Sequence, residues 1–299
     1  MAKRSKGETA RTMPNASEEE LNDGSISLES DSVPISVRVF ANNLINNSDG
    51  ILSKVQPPTK KLIGRDDEVA DVIQTMYKKR SKNCILVGPA GIGKTEIARK
   101  AMMKMQNDYY FLNMDMTTLQ SGCTLVGMLE KRLLTIIKSV SAYNSVSKNK
   151  KLCLFVDEMH TLWTVGKNEH SGSVSVANTL KPYLSDGTLI MLGATTKDEY
   201  DKYVKSDMAM LRRISPVFIK ELGLDKTEKI IRDFCDGEIS DELVSLCVKK
   251  SEEISHLQNP DCSLEIADRV MARALYYGRI ANANDVEYVV DKMKGETDV

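Results

Sequence analysis

The stretch Gly88-Pro89-Ala90-Gly91-Ile92-Gly93-Lys94-Thr95 carries the spacing Gly-x4-Gly-Lys-Thr. Small residues at these positions let successive backbone amides close around phosphate oxygens, at the start of a helix whose dipole favours anions. Lys94 is then placed for the β- and γ-phosphates of a triphosphate, and the Thr95 hydroxyl for Mg²⁺. A second group of chemistry-bearing residues, Asp157-Glu158, follows the apolar run Leu152-Cys153-Leu154-Phe155-Val156. Such a run delivers both acids to the carboxyl edge of a sheet, where ligands bind in open α/β folds. Asp157 suits the cation, and Glu158 suits the positioning and deprotonation of an attacking water. Alone, two adjacent acids read as a solvated turn; downstream of a phosphate loop they read as hydrolytic machinery.

Regular elements must hold these residues in place. Apolar runs at Cys84–Val87, Tyr110–Met114, Leu152–Val156 and Leu189–Leu192 read as strands. Helical periodicity precedes and separates them: Asp66 to Arg80 before the first, then the segment from the glycine-rich turn to Met105, and Leu125 to Val140. Apolar strands separated by helices predict a parallel sheet covered on both faces. After Glu221 the pattern turns wholly helical, at Asp225–Cys235, Asp241–Glu253, Leu264–Tyr277 and Asp285–Met293, with Asp225 and Glu228 as a capping pair. The expected organisation is a polar, disordered tail over 1–36 and a connector over 37–61 containing Pro57-Pro58. An α/β domain follows over 62–222, and a small helical domain over 223–299.

Composition narrows the function classes. The 299 residues are 41% hydrophobic and 28% charged with a formal net charge of -1, so the global basic excess typical of nucleic-acid binders is missing. No apolar run approaches the roughly 20 residues that span a bilayer, and the amino terminus has no apolar signal core, which points to a cytoplasmic protein. Six widely spaced cysteines, without a Cys-x-x-Cys pair, read as reduced thiols, with Cys84 and Cys153 acting as small core residues. His160, His170 and His256 are too scattered for a metal site or a triad, and Trp163 reads as packing.

Together these segments resemble the Clp-type AAA+ ATPases, and most closely the first nucleotide-binding domain of the ClpA and ClpB unfoldases. The resemblance rests on Leu62-Ile63-Gly64-Arg65-Asp66, the phosphate loop and Phe155-Val156-Asp157-Glu158-Met159-His160-Thr161. It continues in Ala177-Asn178-Thr179-Leu180-Lys181-Pro182, Gly193-Ala194-Thr195-Thr196 with Glu199-Tyr200, and Leu211-Arg212-Arg213. It implies ATP with Mg²⁺ as the cofactor pair, a P-loop AAA+ α/β domain and a helical lid. It implies that Ile63 and Gly64 line the adenine pocket, that Thr195 senses the γ-phosphate, and that Arg212 and Arg213 reach the nucleotide of a neighbouring subunit. A homo-hexamer acting on a protein substrate follows from the same resemblance.

Departures from the family pattern concern substrate engagement. Where the family places an aromatic residue between two glycines in a pore loop, Gly122-Cys123-Thr124-Leu125-Val126-Gly127 offers Leu125. Asn259-Pro260-Asp261-Cys262-Ser263-Leu264 lacks the lysine of the family's lid motif, and Leu211 and Ile214 flank the arginine pair in place of Glu and Phe. The expectation is a single-ring protein remodeller. The alternatives are a loader of nucleic-acid machinery, with Arg99–Lys104 and Lys148–Lys151 as its basic candidates, and a regulatory subunit of a larger Clp-type ring.

Overall fold

The computed structural model describes residues 35–58, 61–121, 126–148, 150–164 and 176–296. Its centre is a six-stranded sheet of order β1-β3-β4-β5-β2-β6. The strands are β1 (Leu52–Lys54), β2 (Asn83–Val87), β3 (Tyr109–Met114), β4 (Lys151–Val156), β5 (Met191–Thr195) and β6 (Ile214–Phe218). All neighbours run parallel except β1, which pairs antiparallel with β3 at one edge. Period-two alternation splits the core between the faces. Ile85 and Val87 of β2 join α1 (Ile35–Asn46) and α5 (Val126–Val146) in one cluster, while Cys84 and Leu86 pack on the other side with α2 (Asp66–Met76) and α3 (Lys94–Lys104).

The strand order places the chemistry. β5 lies between β2 and β4, with Thr195 opposite Val87 and Gly193 opposite Val156. The ends of three adjacent strands therefore present the phosphate loop, Thr195 and Asp157 along one edge. Beyond Glu221 the chain forms α10 (Leu224–Cys235), α11 (Asp241–Ser251), α12 (Asp261–Tyr276) and α13 (Ala283–Gly295), which enclose an apolar core of their own.

Several local expectations change. The stretch expected as a connector contains most of α1 and all of β1, and Val37 and Ala41 of α1, Leu52 of β1 and the intervening Ile51 are buried in the core. β6 was not anticipated, because Ser215 and Pro216 interrupt its apolar pattern; pairing along all five residues with β2 makes it a strand. The fourth expected strand lies slightly later, at Met191–Thr195. Asp225 and Glu228 do not form the capping pair: Gly223 is the N-cap of α10, and Glu228 instead accepts from Arg232 and from Ser245 Oγ at 2.9 Å. The loop tip Gly122–Leu125 and residues 1–34 lie outside the described residues. Among the described residues no helix is long and apolar enough to cross a membrane, and Cys84, Cys153, Cys235, Cys247 and Cys262 are free thiols.

Candidate functional site

The phosphate loop turns from β2 into α3 through Gly91 and Gly93, whose φ of 75° and 88° lie in the left-handed region that side chains disfavour. Three bonds fix the turn from outside. Gly88 N donates to Thr195 O at 3.3 Å, Ile219 N to Val87 O at 2.8 Å, and the buried Arg65 guanidinium to Ile92 O at 2.9 Å. Arg65 also reaches Lys220 O and Glu68 Oε1, each at 2.7 Å, so one side chain ties the loop to α2 and to the end of β6. Lys94 Nζ lies inside the loop, donating to Gly88 O at 3.0 Å and Pro89 O at 2.6 Å. Burial lowers the Lys94 pKa, while Glu158, Asp157 and Glu199 oppose that shift. Thr95, in the first turn of α3, donates through Oγ1 to Asp157 Oδ2 at 2.9 Å. Two hard oxygen donors from separate motifs thus meet at one point, a donor set that fits a hard divalent cation such as Mg²⁺.

Glu158 is a non-glycine residue at φ 54°, a costly conformation of the kind that clusters at functional sites. Its carbonyl is tied down by Thr161 N at 3.0 Å and Thr161 Oγ1 at 2.8 Å, and its side chain is 57% exposed. Burial and the neighbouring Glu199 charge raise the Glu158 pKa, against the opposing influence of His160 and Lys94. The carboxylate is therefore a stronger base than an ordinary glutamate.

Two partners were not legible as site residues. His160 Nδ1 lies 3.0 Å from Glu199 Oε2, 3.3 Å from Glu158 Oε2 and 3.1 Å from Thr195 Oγ1. Glu199 Oε2 also accepts from Thr195 Oγ1 at 3.3 Å and from Thr196 Oγ1 at 2.7 Å. His160 and Glu199 therefore clamp the side chains of Glu158 and Thr195 together. The signal for Glu199 was the pattern Thr196-x-x-Glu199, which forms a complete capping box at the start of α8 (Lys197–Glu199). The three histidines are too scattered along the chain to form a site among themselves, but His160, from the strand-end motif, stands within 4.8 Å of both carboxylates.

Ile63 and Gly64 precede α2. Gly64, at φ 70°, faces Lys226 of α10, whose Nζ donates to Gly64 O at 3.2 Å. Arg212 and Arg213 are not near these groups. They follow α9 (Met208–Leu211) and precede β6, whose register pairs Ile214 with Asn83 and Phe218 with Val87. The arginines and the phosphate loop thus occupy opposite ends of the same two strands, about 17 Å apart at a rise of roughly 3.3 Å per residue. The pair also divides. Arg213 Nε donates to Ser185 Oγ at 2.5 Å and its Nη1 to Ala209 O, whereas Arg212 is exposed and makes no side-chain bond among the described residues.

The pattern of the ATPase family associated with various cellular activities, AAA, matches residues 84–221. The chain belongs to the AAA family. Among AAA proteins it is of the Clp type. It is 34% identical over 228 residues to the chaperone protein ClpB of Mesorhizobium japonicum, covering 71% of this chain and 26% of that protein. It is 31% identical over 255 residues to the ATP-dependent Clp protease ATP-binding subunit ClpC of Staphylococcus epidermidis, covering 79% and 30%. The fold is similar to that of Hsp104 in a closed-state reconstruction with ATPγS and FITC casein, at a TM-score of 0.66 and 25% identity over 79% of this chain and 43% of that one. The Saccharomyces cerevisiae Hsp104–ADP complex gives a TM-score of 0.64 at 24% identity, over 86% of this chain and 44% of that one. This AAA chain thus spans under a third of the length of the two Clp proteins. Nucleotide binding accompanies the family.

Proposed function

We propose that this AAA protein is an ATP-driven remodeller of a protein or protein complex, assembled as a single homo-oligomeric ring and hydrolysing ATP at the junctions between subunits. The observation that carries the proposal is the separation on β2 and β6: the hydrolytic groups stand at one end and a free arginine at the other, beyond reach of its own site. A head-to-tail contact between copies brings the two ends together, and repetition of that contact closes a ring; the family precedent is a hexamer.

In the proposed site the backbone of Gly88 to Gly93 cradles the phosphates, Lys94 neutralises the β- and γ-oxygens, and Ile63 with Gly64 borders the adenine. Thr95 and Asp157 would hold Mg²⁺, which supplies charge neutralisation across the β- and γ-phosphates. Glu158 takes a proton from a water whose oxygen attacks the γ-phosphorus. The bond from that phosphorus to the β–γ bridging oxygen breaks, and ADP departs with the electron pair. Thr195, aligned by His160 and Glu199, contacts the γ-phosphate or the water. Arg212 of the adjacent subunit stabilises the transferring phosphoryl group, and Arg213 anchors the segment from which it projects. Residues 223–299 act as the lid over the nucleotide, through Lys226 and α12. A cytoplasmic setting suits the charge balance and the free thiols.

Protein rather than nucleic acid is supported as substrate by the Clp-type relatives and by the balanced net charge. Glu158→Gln should retain ATP binding, abolish turnover and accumulate ATP-bound assembly. An unfolded polypeptide added to the unmodified protein should change its ATPase rate. Normal turnover by Glu158→Gln would remove Glu158 from its role, and a rate indifferent to every polypeptide but responsive to DNA would replace the remodelling proposal with the loader.

A further inference from the structure

Beneath the arginine pair lies a cleft of about 700 Å³ whose wall is unusually basic. Lys79, Arg80 and Lys82 of the α2–β2 loop line it with Arg212 and Arg213, against a single acid, Asp186. Asp186 is already committed to its own turn, accepting from Thr188 N at 2.9 Å and Thr188 Oγ1 at 2.6 Å. Lys79, Arg80, Lys82 and Arg212 are all exposed, and none has an acidic partner among the described residues. The exposed arginines of the helical region, Arg232 and Arg279, are by contrast paired with acids. Concentrating unpaired cations in a concave site of a chain with a formal net charge of -1 is unfavourable unless an anion is expected there.

The base of the cleft is built to hold its shape. Ser81 sits at φ 56°; its Oγ donates to Arg212 O at 2.7 Å, and its own carbonyl accepts from Ser215 Oγ at 3.1 Å. The buried Asn83 donates to Arg213 O at 3.1 Å and accepts from Met191 N at 2.8 Å. The α2–β2 loop and the arginine segment therefore move as one piece, with Lys79, Arg80 and Lys82 carried beside Arg212.

We propose that this cleft is a polyphosphate-binding site, and that Arg80 and Lys82 join Arg212 on the phosphates of the nucleotide held by an adjacent copy of the chain. The inference rests on the junctional site proposed above. Charge complementarity selects the adjacent copy as the source: the opposite end of the sheet presents Asp157 and the exposed Glu158 beside the phosphate loop, acids to which a bound triphosphate adds its own negative charge. The two ends are electrostatic counterparts, and only a second copy offers both the acids and the phosphates together.

The test uses the full chain in two arms. In a Lys94→Ala background, which disables the chain's own loop, inorganic tripolyphosphate is titrated by calorimetry in low and high salt. Saturable binding that weakens steeply with salt is expected, and its loss on adding Arg80→Ser and Lys82→Ser. In the second arm the Arg80→Ser, Lys82→Ser double variant of the otherwise unmodified chain is compared with Arg212→Ala for ATP turnover and for oligomer formation by light scattering. About a tenfold loss in turnover, or a tenfold rise in the concentration needed for assembly, is expected, comparable with removing one charge-assisted contact. Failure of tripolyphosphate to bind Lys94→Ala, or binding that survives the two loop substitutions, overturns the site. Binding through the loop with ring turnover and assembly unchanged makes the ligand a free polyanion and overturns the assignment to an adjacent copy. Normal turnover by Arg212→Ala refutes the junctional site itself, whatever the loop variant does.

Discussion

Arg212→Ala and Glu158→Gln should each be inactive alone and rescue one another when mixed. Five residue pairs of β2 and β6 separate Arg212 from its own phosphate loop, about 17 Å at roughly 3.3 Å per residue, so the two groups can cooperate only across a junction. Each pure variant loses one half of every junction, and the loss of a trans arginine is on the order of 10³ in rate. In an equal mixture a junction works when a subunit with Glu158 faces one with Arg212, which random assembly satisfies in about a quarter of cases. The mixture should therefore run at about a quarter of the unmodified rate, some two orders of magnitude above either variant. The assay is phosphate release after subunit exchange at low nucleotide, with mixed rings verified by native mass spectrometry. A mixed ring no faster than the mean of its components would show that Arg212 does not act across the junction.

Arg65→Met removes a buried cation from three acceptors while keeping most of its volume. Breaking such an arrangement costs about 3–5 kcal/mol, so the melting temperature should fall on the order of 10 °C and ATP affinity should weaken, because Ile92 O belongs to the phosphate loop; differential scanning fluorimetry and a fluorescent ATP analogue measure both. Asp285, 1% exposed between Arg279 and Arg273, has its carboxyl held well below the usual range, first by the Arg279 hydrogen bonds. Its folded pKa is the lower one, so the stability it contributes is complete above the unfolded value near 3.9 and fades as pH falls below it. Asp285→Asn should therefore melt earlier than the unmodified chain at pH 7 and narrow that gap towards pH 3, and a constant gap would count against the ion pair. Burial pushes the Cys84 and Cys247 thiols up to about 12 and Cys262 up to about 11; these three should resist iodoacetamide at pH 8 until denaturant is added, as peptide mass mapping would record.

Residues whose role follows from local sequence were readable in advance. The phosphate loop needs only glycines, a lysine and a threonine at fixed spacing, and β2 and β4 are apolar enough to declare themselves. β6 was hidden because its strand character comes from the neighbour it pairs with, whereas α1 was legible: Val37, Phe40, Ala41 and Leu44 stand at helical spacing, a face that reading 37–61 as a connector passes over. The clamp of His160 and Glu199 on Glu158 and Thr195 joins residues from two strand ends that only the order β4-β5-β2 brings side by side. Likewise, nothing in Arg212-Arg213 distinguishes the two guanidinium groups. The difference arises when Ser185, on α7 (Val176–Ser185), turns out to lie beside only one of them.

Asn83 and Gly88 bracket β2, the first bonded to the arginine segment and the second to Thr195 O. In the proposed ring, a shift of the arginine when the adjacent nucleotide loses its γ-phosphate would be delivered to one end of a fully buried strand whose other end opens into the chain's own phosphate loop. Each subunit of that ring would in this sense be a lever with a fixed arm, its input belonging to one nucleotide and its output to the next. The order in which nucleotides are consumed around a ring would then be set by the stiffness of five residues.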